Sequence, residues 1–193
     1  MKILLIITCI ILLLPIVITI YKIKKLKNIT YNQPEILANK KILTVYYSNN
    51  SNTKNVAQNI NAIVGGDIKE IELTTKYPNN IFTMSKLVRK QIKENFLPQI
   101  ENIDISNYDV IFIGSPTWIF SMALPAKAFL KNNNFKNKII IPFITYSGGA
   151  NKTKIVNEIK NLTNTNDIKK ALFMFENGIL LVKEQIINWL NNI

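Results

Sequence analysis

Three short, unbroken apolar runs constrain this chain more than any other feature: ILTVYY at 42–47, YDVIFIG at 108–114 and KIIIPFIT at 138–145. They are continuous rather than alternating. That pattern belongs to strands buried on both faces, as in the middle of a parallel sheet covered by helices. Helical patterns lie between and after them. Val56, Ile60 and Ile63 mark one helix, and Met84, Val88 and Ile92 mark another within 82–96. A short helix over 124–131 carries Pro125 in its first turn, where the missing N–H costs nothing. Ile155, Ile159 and Leu162 mark a fourth, and Val182, Ile186, Trp189, Leu190 and Ile193 a closing fifth. An alternating stretch at 67–73 reads as a strand near the sheet edge, and 168–175 as a fifth strand. Pro142, inside the third run, predicts a local break in a ladder. Strands alternating with helices in this way predict an α/β, doubly wound, five-stranded parallel sheet.

In such sheets ligands bind outside the carboxyl ends of the strands, at the switch in strand order. The loops leaving the three most buried strands, 48–53, 115–121 and 146–151, are therefore expected to converge. The first runs straight from a strand into a helix N-terminus through Ser48, Asn49, Asn50, Ser51, Asn52 and Thr53. Free N–H groups of a first helical turn, aligned with the helix dipole, hold anions. The hydroxyls and amides of Ser48, Asn50, Ser51, Asn52 and Thr53 add donors. The second loop puts Trp118 behind Pro116 and Thr117, a flat wall for a planar ring that Ile119 and Phe120 extend. The third, with Thr145, Tyr146 and Gly148, supplies backbone that approaches closely. An anion cradle, an aromatic wall and a glycine-containing edge describe a site for a flat ring carrying a phosphate.

Several chemistries are excluded. There is no G-x-x-x-x-G-K-[ST] and no G-x-G-x-x-G, so neither common nucleotide loop is present. The chain has no histidine and one cysteine, Cys9. A Ser-His-Asp or Cys-His nucleophile is impossible, and the usual ligands of zinc, haem and iron–sulfur clusters are missing. Redox chemistry would have to come from a bound cofactor.

These motifs together resemble the flavodoxin family, in particular short flavodoxin-like proteins with a P-x-W turn and a P-F-x-T-x-x-G strand end. The resemblance runs over 41–193 and is carried by 48–54, by 108–118, by Pro142, Phe143, Thr145 and Gly148, and by Trp189 and Leu190. It implies strand order 2-1-3-4-5, noncovalent FMN and electron transfer. By position, Ser48, Asn50, Asn52 and Thr53 would bind the FMN phosphate. Pro116, Thr117 and Trp118 would line the isoalloxazine ring, and Thr145, Tyr146 and Gly148 its third edge. Ser51 stands where the family pattern has glycine, and neither Ile119 nor Phe120 is glycine in the turn beside the ring. A positive φ at Ser51 would cost about 1 kcal/mol or more and is expected to lower FMN affinity.

The amino terminus is a different kind of chain. Residues 3–20 carry no charge, the lower limit for a membrane span, and Lys22, Lys24, Lys25 and Lys27 follow. No small-x-small cleavage site follows the run, which favours an uncleaved anchor over an exported precursor. The basic flank then places the domain in the cytoplasm. The expected organisation is a membrane anchor at 1–27, a linker at 28–40 and the flavodoxin-like domain at 41–193.

Net charge is +12, with 24 basic and 12 acidic residues. Five of the basic residues, and no acid, precede Asn28, which leaves 19 against 12, or +7. The lysines are scattered without a recognition motif, so no nucleic-acid partner is expected. Carrier flavodoxins are usually acidic, so a redox partner protein or quinone at the membrane, or an acidic partner, fits better. The function expected is membrane-anchored, FMN-dependent electron transfer. The alternatives are an FMN-dependent NAD(P)H:quinone or small-molecule oxidoreductase, and a non-redox scaffold that has lost FMN.

Overall fold

The computed structural model describes residues 13–18, 20–21, 24, 30–176 and 182–193. Five parallel strands form the sheet: β1 (Ile42–Tyr46), β2 (Asp67–Glu70), β3 (Val110–Trp118), β4 (Ile139–Tyr146) and β5 (Leu172–Phe175). Their order is β2-β1-β3-β4-β5, as the resemblance implied. The helices are α1 (Asn52–Val64), α2 (Ile81–Lys93), α3 (Leu124–Asn132), α4 (Lys152–Leu162) and α5 (Val182–Leu190).

The unbroken apolar runs bury both faces of the sheet. Leu43, Val45, Ile111, Ile113, Ile140 and Ile144 pack on Ala126, Phe129 and Leu130 of α3 and Ile155 and Ile159 of α4. The alternate residues, Ile42, Tyr46, Val110, Phe112, Ile141 and Phe143, pack on Val56, Ala57 and Ile60 of α1 and Ile186, Trp189 and Leu190 of α5. Gly114 lies where Tyr46 and Phe143 crowd the sheet. A Cβ there would sit 2.2 Å from Phe143 Cζ and 2.8 Å from Tyr46 Cβ, so only glycine fits.

Pro142 breaks a ladder on one side only. Ile140 exchanges hydrogen bonds with Asp167 and Lys169, so the even-numbered residues of β4 face β5. Regular β4–β5 pairing begins at Phe143↔Leu172, and the proline falls in the gap between, where no N–H is asked for. On the β3 side Ile113↔Pro142 continues the register unbroken. The fifth strand is accordingly shorter than 168–175, with Ile168 making only an isolated bridge to Ile140. At the other edge, 67–73 contributes a strand only through Glu70, and Leu73 bridges antiparallel to Ile100.

Two further expectations change. The stretch 115–118, expected as loop, continues β3, and a hairpin returns at Ser121–Met122 through Thr117↔Met122 and Trp118↔Ser121. The stretch 28–40, expected as linker, is packed on the domain over its described part. Leu37 is buried among the α1/α5 core residues, with Tyr31 and Ile36 beside it. Asn32 N–H donates to Asn191 Oδ1 (3.1 Å), and Asn191 Nδ2 donates to Thr30 O (3.0 Å). A polar composition concealed this because three apolar side chains suffice to dock a short segment.

The expected span at 3–20 lies largely outside the described residues. Where it is described, at 13–18 and 20, the chain is helical and Leu13, Leu14, Ile16, Val17, Ile18 and Ile20 are exposed. Among the described residues no helix is long and apolar enough to cross a membrane.

Candidate functional site

Strand order reverses between β1 and β3, and the parallel register sets the ends of β1, β3 and β4 side by side, with Tyr46↔Gly114 and Pro116↔Thr145. The loop after β1 enters α1 through Ser51, whose φ is +66°. A serine there carries the left-handed backbone normally given to glycine, at about 1–2 kcal/mol. Among the described residues nothing accepts a hydrogen bond from the N–H of Asn50, Ser51, Asn52 or Thr53. Lys54 N–H donates to Ser48 Oγ (3.3 Å), and Asn55 N–H donates to Ser51 O. Four free amides at the positive end of a 13-residue helix suit a phosphate.

The hydroxyls behave differently from expectation. Thr53 and Thr145 are buried, and their Oγ1 atoms hydrogen-bond each other at 2.9 Å, tying α1 to β4. They brace the cradle rather than face a ligand with free hydroxyls. Lys54 Nζ is drawn aside to Glu70 Oε2 (3.0 Å), which also accepts from Tyr46 OH (3.0 Å).

The loop after β1 borders a cleft of about 230 Å³, lined by Asn50, Pro116, Thr117 and Trp118 of the expected site. Ile119, Ser147 and Glu176 complete that side, and Ile81, Met84, Ser85 and Val88 of α2 close the opposite one. Trp118 is fixed by two perpendicular ring contacts, with Tyr47 at 5.4 Å and Tyr77 at 5.0 Å. Tyr77 OH donates to Gln91 Oε1 of α2 (2.7 Å), and Asn49 Nδ2 approaches Met84 Sδ (3.8 Å). Helix α2 therefore ties the phosphate loop to the tryptophan wall. Its apolar stripe read as core in the sequence. The signal for a cleft role was the Ile81-Phe82 pair at its amino end, which is 64% and 81% exposed.

Other expected residues fall elsewhere. Tyr146 turns from the cleft to stack edge-on with Phe175 (5.5 Å). Gly148 is exposed, and a Cβ on it would meet nothing, whereas one on Gly149 would lie 3.0 Å from Phe120 Cε1. Asn52 and Thr145 border a neighbouring groove with Phe175, Glu176 and Val182, and Ser48 borders a third hollow with Tyr47 and Glu70.

The turn after Trp118 is strained. Ile119 (φ +51°) and Phe120 (φ +61°) are both left-handed, as a two-residue type I′ hairpin requires. Neither is a residue type that adopts this conformation readily, and a β-branched isoleucine least of all. The cost is about 1–2 kcal/mol for each.

Burial pushes Tyr77 up to about 12, with its hydrogen bond to Gln91 opposing the shift. Burial likewise raises Tyr47, helped by Tyr77 and Glu70, and raises Tyr46, whose hydroxyl also bonds Glu70. These tyrosines act as walls and braces. Among the described residues there is no cluster of groups able to hold a metal ion.

Order 2-1-3-4-5 with a ligand cleft outside the β1/β3 switch defines a flavodoxin-like α/β protein. A flavodoxin family model matches residues 41–193, and the chain belongs to the flavodoxin family. Solved structures agree. A flavoprotein of Lactobacillus acidophilus NCFM, determined in complex with FMN, is 28% identical with a TM-score of 0.57, covering 73% of this chain and 96% of that one. The NMR structure of the apo form of the flavoprotein from that organism is 29% identical with a TM-score of 0.53, covering 69% and 91%. A candidate flavoprotein of Bacteroides eggerthii DSM 20697 is 26% identical with a TM-score of 0.64, covering 80% and 98%. No curated protein matches the chain.

Proposed function

We propose that this protein binds FMN and transfers electrons, held at a membrane by its apolar amino-terminal segment with the domain on the cytoplasmic side. The observation that carries the FMN reading is that a loop with four free amides, Asn50 to Thr53, borders through Asn50 the same cleft that Trp118 walls. When bound, FMN supplies one- and two-electron chemistry. The chain's own part is to hold and orient it. The amides of Asn50, Ser51, Asn52 and Thr53 would take the phosphate, Pro116, Thr117 and Trp118 would flank the ring, and Met84 and Val88 would keep water from it. The membrane placement rests on the uncharged run at 3–20 and the lysines after it. The domain's net charge of +7 favours an acidic redox partner.

A second reading, an FMN-dependent oxidoreductase, is favoured by one feature. The cleft has an apolar border in Ile81, Ile119 and Trp118, with Ile81 64% exposed, and would admit a flat substrate. Titrating the full chain with FMN while following flavin fluorescence tests the common core of both. Quenching that weakens in Trp118→Ala is expected. Absence of binding up to about 1 mM, a free energy near only −4 kcal/mol, would end the redox reading. Oxidation of NAD(P)H by the loaded protein with a quinone, without a partner protein, would select the enzyme.

A further inference from the structure

The strained turn at the cleft has a clamp outside it. Glu158, near the middle of α4, turns its carboxylate onto the return arm of the hairpin. It accepts from Ser121 Oγ at 2.7 Å (Oε1) and 2.8 Å (Oε2), and from Met122 N–H at 3.3 Å. Lys127 Nζ of α3 closes the arrangement at 2.9 Å from Oε1. Both charged side chains are mostly out of water, at 18% exposure for Glu158 and 16% for Lys127, so their bonds are little screened. Ser121 is buried and pairs directly with Trp118. One residue further, Ala123 N–H is shared between Ser115 Oγ (3.0 Å) and Pro116 O (3.1 Å). The return arm is thus fastened on both sides, to β3 by Ala123 and to α4 by Glu158.

An Ile-Phe pair does not choose the left-handed conformation by itself. A turn of this sequence stays closed only where its surroundings over-determine it. We infer that Glu158 is a positioning residue of the cofactor site: its carboxylate, through Ser121 and Met122, holds the Ile119–Phe120 turn closed and thereby holds Trp118 in the cleft wall. Glu158 does not border the cleft itself. Its effect passes through two residues of hairpin. The consequence for ligands is selective. The clamp bears on the ring wall, whereas the amide cradle at Asn50 to Thr53 belongs to a different loop. The inference rests on the FMN reading for its ligand but not for its structural content.

The test uses the full chain with four variants: Glu158→Gln, Glu158→Ala, Ser121→Ala, and a turn replaced by Ile119→Asn with Phe120→Gly, the pair most at ease in a type I′ turn. Glu158→Ala is expected to weaken FMN and riboflavin by the same factor, about tenfold, as suits the loss of charge-assisted hydrogen bonds. Riboflavin lacks the phosphate, so equal losses place the effect at the ring. Glu158→Gln keeps an acceptor for Ser121 and is expected to retain part of the affinity. In the Asn-Gly background the same Glu158→Ala change is expected to cost less than about threefold, because that turn needs no clamp. A second readout needs no flavin. With Trp189→Phe throughout, Trp118 is the sole tryptophan, and Glu158→Ala is expected to raise its quenching by acrylamide, as is Ser121→Ala.

Unchanged Trp118 quenching in folded Glu158→Ala protein would overturn the proposal whether or not FMN binds. So would an equal loss of flavin affinity in the Ile-Phe and Asn-Gly backgrounds, since that marks a general packing role of α4. Failure of the wild-type chain to bind any flavin would strike the FMN reading instead, and the quenching comparison would still decide the clamp.

Discussion

Ser51→Gly separates two places where backbone strain can be charged. Ser51 sits at φ +66°, and its side chain makes no capping bond. A loop that holds this form before any ligand arrives meets the strain on folding rather than on binding, and the expected loss of FMN affinity at Ser51 is then replaced by a loss of stability. Glycine removes about 1–2 kcal/mol of left-handed cost. It returns about 0.4–1 kcal/mol through the greater freedom of the unfolded chain. The variant should gain about 0.5–1 kcal/mol, which raises Tm by about 1–4 °C for a domain of this size. Ser51→Ala is the control. Alanine keeps the strain and loses only the hydroxyl, and an N-cap serine that makes no capping bond forfeits none of the usual cap energy, so its stability should stay within about 0.5 kcal/mol of wild type. Thermal and urea unfolding of the apo protein measure the first quantity, and FMN titration the second. Affinity should change less than about threefold in Ser51→Gly. A tenfold or greater tightening without a gain in apo stability would refute the reasoning, because the loop would then reach its left-handed form only with ligand.

Three other outcomes follow from the same geometry. Thr53→Val and Thr145→Val should each cost about 1–3 kcal/mol by stranding a buried hydroxyl, while the double variant should recover much of that loss in a urea-unfolding cycle. Leu37→Ala should cost about 2–5 kcal/mol in the same assay, as for a core residue, and a result below about 1 kcal/mol would return 30–40 to the status of a linker. Tyr77 has its folded pKa raised to about 12 from 10, so the native state holds that proton longer than the unfolded one. Its stabilising contribution is complete below about pH 10 and is lost as pH rises from there through about 12, and Tyr77→Phe should flatten that limb of the stability–pH curve.

The fold was legible because its signals are local and redundant. Runs buried on both faces identify central strands without any knowledge of their neighbours, and Pro142 announced its own gap. The cradle was legible for the same reason, since strand, polar loop and helix are contiguous between Ile42 and Val64. What escaped were features made by two distant segments. Met84 and Val88 have the spacing of core residues and are core residues, yet they also wall the cleft. Thr53 looked like a donor until Thr145, 92 positions away, took its hydroxyl. Ser115 to Trp118 looked like loop because proline and serine discourage strands, but Glu158 and Ala123 hold a hairpin there. Tyr146 was assigned beside Thr145 from the resemblance, and β4 alternates its side chains, so these two neighbours serve opposite faces.

The docking of 30–37 on the last helix gives the domain a polarity. Helix α5 starts beside the cleft end, where Val182, Lys183 and Glu184 border Thr145 and Phe175. It finishes at the opposite pole, where Trp189 Nε1 donates to Lys170 O ahead of β5 and Asn191 grips Thr30. Thr30 thus lies at that pole. The eight residues of β4 alone separate the poles by about 26 Å, and the nine residues at 21–29 reach at most about 30 Å when fully stretched. A chain held in a bilayer by its first twenty residues would stand like a lamp on a short stem, its flavin end lit toward water. Donors and acceptors that diffuse in the aqueous phase would meet Trp118 head-on, and a quinone confined to the bilayer would meet it only when the domain lay down.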